Sequence, residues 1–314
     1  MMRRIGALVL LVALGGLIAK VGGALFGADD TEAGGVDPAE TTVGSSPIEL
    51  LDDAGTTIAG GSVEPGDTAG TQVPGDTTPA TVDTSPHVPT AAEPAVVLIA
   101  GDSDAGTFGP YLDTLLDDTG VVQTTLDYKV STGLARPDQV DWPARFRQII
   151  PEIDPDIVVV TFGGNDAQGL SEVGGNFVVM QPTGEPGGDQ EWRAEYGKRV
   201  GEVMDYLSSE GRTLVWVGIP NDDNPDVTAR MKVQDEVVRA EVAKRPQVMF
   251  VDTWKRFSGR DGNWAEYVID PRDGQGKDVR ADDGFHLNVA GAEILALDIA
   301  EIVRQELVNR GAAI

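Results

Sequence analysis

Five short apolar runs, separated by segments of helical periodicity, constrain residues 94–314 more than any other feature of the chain. They are Val96–Ala100, Val121–Leu126, Ile157–Phe162, Thr213–Val217 and Val248–Val251. Each stops at a glycine or an aspartate, as strands buried on both faces do. Between them lie apolar stripes at helical spacing. Phe108–Leu116 reads as a short first helix. Phe146, Ile149, Ile150 and Ile153 form a second stripe, opened by Asp141-Trp142-Pro143; proline suits a first helical turn, where its missing N–H costs nothing. Tyr196, Val200, Val203, Met204 and Leu207 form a third, stopped by Gly211. Val227, Met231, Val238 and Val242 form a fourth, stopped by Pro246, and Ala292, Leu295, Ile299, Ile302 and Val303 a fifth, closed near Gly311. Strands alternating with helices predict a five-stranded parallel sheet covered on both faces, a three-layer α/β/α domain. In such a sheet ligands bind outside the carboxyl ends of the strands.

The first 93 residues have a different character. Arg3 and Arg4 precede an apolar run from Ile5 to Phe26 that only Lys20 interrupts. As a helix this run would measure about 33 Å, against a hydrocarbon core of about 30 Å. Positive charge before it and none after it predict an N-in, C-out anchor. The competing reading is a signal peptide cleaved near Gly22-Gly23-Ala24. Either reading places the rest of the chain outside the membrane. Residues 27–93 carry 13 acidic residues, no lysine or arginine and no aromatic residue. Such a composition buries too little apolar surface to offset its ordering entropy, so a flexible linker is expected, on the order of 45 Å across. His87 falls in this linker and is assigned no role.

Charge and composition exclude several functions. The net charge is −27, whereas nucleic-acid binding needs a basic face. The chain has no cysteine and two histidines, His87 and His286. Disulfides, thiolate metal sites, iron–sulfur clusters, cysteine nucleophiles and multi-histidine metal centres are thereby excluded. The acid-rich stretch Asn221-Asp222-Asp223 with Asp226 matches neither a calcium loop nor a glycosidase carboxylate pair. No metal or cofactor is expected. Trp142, Trp192, Trp254 and Trp264 are expected in the core or at its rim rather than as a sugar-stacking platform.

Polar blocks sit at the strand ends, where the chemistry belongs. Gly101-Asp102-Ser103 follows the first strand, Ser131-Thr132-Gly133-Leu134 the second, Gly163-Gly164-Asn165-Asp166 the third, and Asp283-Gly284-Phe285-His286 precedes the last helix. In this order and spacing they make residues 94–314 resemble the SGNH (GDSL-type) hydrolases. Gly133-Leu134-Ala135-Arg136-Pro137-Asp138, followed by Asp141-Trp142-Pro143, is similar to an exported, poorly characterised branch of that family. The resemblance implies a flavodoxin-like sheet and a Ser-His-Asp acyl-enzyme mechanism without a cofactor.

On that resemblance Ser103 is the nucleophile; its alternative role is a helix N-cap. His286 is the only histidine of the domain, so a Ser–His pair must use it; otherwise it caps or packs the last helix. Asp283 stands three residues before it, near enough to orient the imidazole. Asp282 is the rival, and the family pattern selects Asp283. The side-chain amide of Asn165 and the backbone N–H groups of Gly133 and Ser103 would form the oxyanion hole, where one donor is worth about 2.7–4 kcal/mol. Asn165 is alternatively a turn cap. Asp102 and Asp166 correspond to structural acids that tie loops through backbone amides. Asp104 departs from the family pattern: a carboxylate beside the nucleophile opposes a developing oxyanion unless it turns away or is met by a helix N-terminus.

The expected activity is carboxylic ester hydrolysis on cell-wall or extracellular glycans by an exported monomer. The alternatives are an O-acyltransferase using the same triad and a non-catalytic glycan-binding domain.

Overall fold

The structure, a computed structural model, describes residues 87–314. The anchor or signal segment 1–26 and most of the linker assigned to 27–93 lie outside the described residues. Nine strands and six α-helices follow in order: β1 Ala95–Gly101, α1 Ser103–Asp117, β2 Val122–Tyr128, α2 Trp142–Ile153, β3 Ile157–Thr161, β4 Leu170–Ser171, β5 Phe177–Val179, α3 Gln190–Leu207, β6 Thr213–Val217, α4 Pro225–Ala243, β7 Met249–Val251, α5 Thr253–Arg256, β8 Tyr267–Ile269, β9 Gly276–Asp278 and α6 Val289–Asn309. A 3₁₀ turn spans Gly164–Asp166.

Five strands form the parallel central sheet, in the order β2-β1-β3-β6-β7. This is the flavodoxin-like order, whose switch point lies between the first and third strands. The three-layer expectation from the apolar runs therefore holds. Side chains alternate across the sheet as the pleat requires. Val97, Ile99, Val159 and Val215 face α1 and α6, packing on Phe108, Leu112, Ile299 and Val303. Leu98, Ala100, Val158, Val160 and Trp216 face the other way, onto Trp142, Phe146, Tyr196 and Val200 of α2 and α3. Trp142 and Trp192 are fully buried. Neither offers a sugar-stacking face, in line with the expectation of core packing.

Two features differ from the sequence reading. The first helix begins at Ser103 rather than Phe108. Gly106, Gly109 and Pro110 hide it, because all three are poor helix formers. The glycines are there for packing: a Cβ at Gly106 would strike the Tyr128 ring and one at Gly109 the Leu126 side chain. The second is a pair of short antiparallel hairpins, β4–β5 and β8–β9. Strands of two or three residues carry no periodicity to read.

At the N-terminal ends of the strands the Asp156 carboxylate accepts from the Val96 N–H at 2.8 Å and meets His87 Nδ1 at 2.9 Å. His87 thus lies at the sheet edge remote from the polar blocks. Among the described residues no helix is long and apolar enough to cross a membrane.

Candidate active site

Three loops at the carboxyl ends of β1, β2 and β3 are fastened to one another by two buried carboxylates. Asp102 ends the turn after β1 and caps α1, accepting from the Asp104 N–H at 3.1 Å and from the Gly163 N–H of the β3 loop. Asp166, in the 3₁₀ turn, accepts from the N–H groups of Leu134 and Ala135 at 2.9 and 2.8 Å and from the Tyr196 hydroxyl at 2.7 Å. Burial pushes both acids up, Asp166 to about 6, although its hydrogen bonds oppose the shift. Each carboxylate therefore flanks the positions that matter. Asp102 precedes Ser103 and holds Gly163; Asp166 follows Asn165 and holds the residue after Gly133. Gly133 itself must be glycine, since a Cβ there would overlap the Asp166 carboxylate. Gln234, fully buried on α4, adds a third tie by donating to the carbonyls of Phe162 and Gly163 at 3.1 and 3.0 Å.

Ser103 is the first residue of α1, and Asp102 does the capping. The serine hydroxyl is thereby left for another partner: its Oγ lies 2.9 Å from His286 Nε2. His286 Nδ1 lies 2.6 Å from Asp283 Oδ2. With the Nδ1 proton donated to Asp283, Nε2 is left as an acceptor for the Ser103 hydroxyl. Asp283 is fixed in turn, its Oδ1 accepting from the N–H groups of Phe285 and His286 at 3.1 and 3.0 Å. The rival Asp282 is exposed and makes no hydrogen bond to the imidazole. The helix cap at the head of α6 is Asn288 rather than His286.

Electrostatics agree with this chain of contacts. Burial alone pulls the imidazole down, but the Asp283 hydrogen bond and the charges of Asp104, Asp283 and Asp102 outweigh it and leave His286 at about 9. The hydrogen bond from His286 holds Asp283 at about 2, against a smaller opposing effect of burial.

The donors expected to hold an oxyanion are not consumed elsewhere. Among the described residues, neither the Ser103 N–H, the Gly133 N–H nor the Asn165 side-chain amide donates to another protein group. Asp104 is buried within the first turn of α1, where the helix N-terminus favours a negative charge. Its carboxylate lies against Gly163 and lines the space between α1, β3 and β6.

One group essential to this geometry was not singled out from the sequence. Arg280 is buried, and its guanidinium donates to the carbonyls of Asn221, Phe257 and Phe285 at 2.9, 2.9 and 3.0 Å and to Asn221 Oδ1 at 2.8 Å. It pins the His286 loop to the loop after β6. Burial without a carboxylate in contact lowers it to about 10. Trp264 fastens the same loop by donating to the Gly284 carbonyl at 2.7 Å. The available signal was a lone arginine in an acid-rich stretch six residues before the histidine. Asp222 and Asp223 stand beside this loop, and a Cβ at Gly284 would overlap Asp223. Among the described residues no cluster of histidine and carboxylate groups could hold a metal ion.

A family profile described as "Protein of unknown function (DUF459)" matches residues 96–301. Among curated proteins no relative matches the sequence. Solved structures with a similar fold include a GDSL-like lipase from Bacteroides thetaiotaomicron, at 15% identity and a TM-score of 0.44, covering 70% of this chain and 92% of that one. LAE5, an alpha/beta hydrolase from the metagenome of Lake Arreo, is 16% identical with a TM-score of 0.45, covering 67% and 94% of the two chains. The acetyl xylan esterase AlAXEase is 16% identical with a TM-score of 0.44, covering 67% and 99%.

Proposed function

The chain belongs to the DUF459 family, and on that premise we propose that it is a serine hydrolase of the SGNH type acting on carboxylic esters. The observation that carries the proposal is the continuous contact from Ser103 through His286 to Asp283, at 2.9 and 2.6 Å. Ser103 Oγ attacks the acyl carbonyl while His286 Nε2 takes its proton. The oxyanion is met by the N–H groups of Ser103 and Gly133 and the amide of Asn165, in a position where fixed donors stabilise developing charge. His286 returns the proton to the leaving alkoxide, and water then releases the acyl group by the same steps in reverse order. The side chains of His286 and Asp283 are 32% and 53% exposed. A site this open admits water, which supports hydrolysis over transfer to a sugar hydroxyl.

Acetyl or similar esters on cell-wall or extracellular glycans are the substrates that fit an exported enzyme. Support for export comes from Arg3, Arg4 and the apolar run Ile5–Phe26. Fractionation of the native host should find the full-length chain in the membrane; a soluble chain beginning near Leu25 would instead mean a cleaved signal peptide.

The purified protein should hydrolyse a short aryl acetate and be labelled by a fluorophosphonate. Ser103→Ala should abolish both, lowering the rate on the order of 10⁴-fold or more with an unchanged circular dichroism spectrum. Hydrolysis surviving in Ser103→Ala would remove this nucleophile from consideration.

A further inference from the structure

Beside Asp104, the residue after the candidate nucleophile, three residues that each carry an unpaired buried polar atom line one small cavity. Asp104 Oδ2, Thr161 Oγ1 and Thr253 Oγ1 have no hydrogen-bond partner among the described residues. Their residues are 8%, 0% and 0% exposed. All three line one cavity of about 10 Å³, together with Thr107, Gly218 and Leu287. They arrive from separate elements: Asp104 from α1, Thr161 from the end of β3, Thr253 from the start of α5. Leaving a single buried polar group unpaired costs about 1–3 kcal/mol. Three on one cavity are not explained by packing, since apolar residues of similar shape would fill it at no such cost. A water molecule needs roughly 10–15 Å³ and two to four polar partners; this cavity measures about 10 Å³ and is lined by the three residues that carry the unpaired atoms.

We propose that the cavity binds one water molecule shared by Asp104, Thr161 and Thr253, and that this water keeps the Asp104 carboxylate charged in support of the His286 imidazolium. The placement explains why a carboxylate is tolerated next to Ser103. Ser103 Oγ touches His286, and Leu287, the residue after His286, forms a wall of the same cavity. Asp104 is thus a positioning group that acts on the base from α1, while Asp283 acts from its own loop. Asp283 is in contact with the imidazole, and the negative charges of Asp104 and Asp102 also favour its protonated form. The charges of His286 and Arg280 favour the ionised Asp104 carboxylate, and that of Asp283 opposes it. Burial raises the Asp104 carboxyl, so a water that solvates it locally determines whether it is charged when His286 needs a counter-ion.

The test uses no substrate, so its result is independent of whether the chain hydrolyses esters. With only two histidines in the chain, His87→Gln assigns both imidazole signals in a proton NMR titration of the full-length protein. Asp104→Asn, nearly isosteric, should lower the His286 midpoint by about one unit, a tenfold loss of proton affinity. Thr253→Val, which removes one partner of the water, should shift it the same way by less, and it decides the matter if Asp104→Asn does not fold. Diffraction from crystals of the protein should show one density peak within hydrogen-bond distance of the three named atoms. A folded Asp104→Asn protein with an unchanged His286 midpoint, or a cavity without density, would overturn the proposal.

Discussion

In the proposed mechanism His286 must be neutral to take the Ser103 proton, yet its surroundings favour the charged form and hold it at about 9. The sign of the pH dependence follows. Activity depends on the deprotonated imidazole, so it should rise with pH and keep rising above neutrality, with an acid limb in kcat/KM near pH 9 rather than near an ordinary histidine value of about 6.5. Asp283→Asn removes the hydrogen bond and the charge that raise the imidazole, and it releases the tautomer as well. The limb should therefore move down while the rate falls at every pH, by up to about 10⁴-fold. A rate profile of Asp283→Asn superimposable on that of the parent would assign the orienting role to another acid, with Asp282 next in line.

At the scale of the elements, the candidate site is a set of loops held together by the hydrogen bonds of buried side chains. Asp102 and Asp166 join the loops after β1, β2 and β3, and Arg280 joins the histidine loop to the loop after β6. These ties use backbone amides and carbonyls that would otherwise be buried without partners. Arg280→Met keeps the volume but strands the carbonyls of Asn221, Phe257 and Phe285. The expected cost is about 3 kcal/mol or more, read as a lower urea midpoint at constant m-value. Arg280→Lys retains the charge without the fork and should recover part of the stability but little of the rate, because the loop that carries His286 is no longer held in position. Equal stability of Arg280→Met and the parent would mean that those carbonyls find other donors.

For the whole molecule, charge couples the site to stability. Residues 94–314 hold 38 acidic and 21 basic residues, and this excess favours a protonated His286. Its folded-state pKa stands above the unfolded value, so the stability it contributes is complete below about pH 6.5 and is lost as pH rises through about 9. Asp166, raised to about 6, acts in the same sense at lower pH: its contribution is complete below about pH 3.9 and lost by pH 6. Asp283, held at about 2, works the other way and contributes above about pH 3.9. The thermal midpoint should therefore decline between pH 6.5 and 9, and His286→Asn should flatten that decline. Added salt should reduce the part due to distant acids and leave the part due to the Asp283 contact, because screening weakens exposed, long-range pairs first. A decline of equal slope in His286→Asn would trace it to other groups.

The central sheet, the helices that cover it and the polar blocks at its strand ends were legible in the sequence, because each is a local pattern: a period, an apolar run with its stop, or three or four polar residues in order. The start of α1 at Ser103 was not legible. The glycines that mask it as a helix are required by the Tyr128 and Leu126 side chains of a neighbouring strand, which no local pattern reports. The hairpins β4–β5 and β8–β9 are too short to have a period. The choice of Asp283 over Asp282 followed from likeness to a family; the 2.6 Å contact to His286 supplies the physical ground for it. What only the tertiary structure decided is which distant groups meet. Ser103 and His286 are 183 residues apart in sequence and 2.9 Å apart at their side chains, and Arg280 reaches Asn221 across 59 residues. Such pairings are determined by the sheet order and by the buried carboxylates and guanidinium that must satisfy their hydrogen bonds, and those conditions exist only once the chain has closed around them.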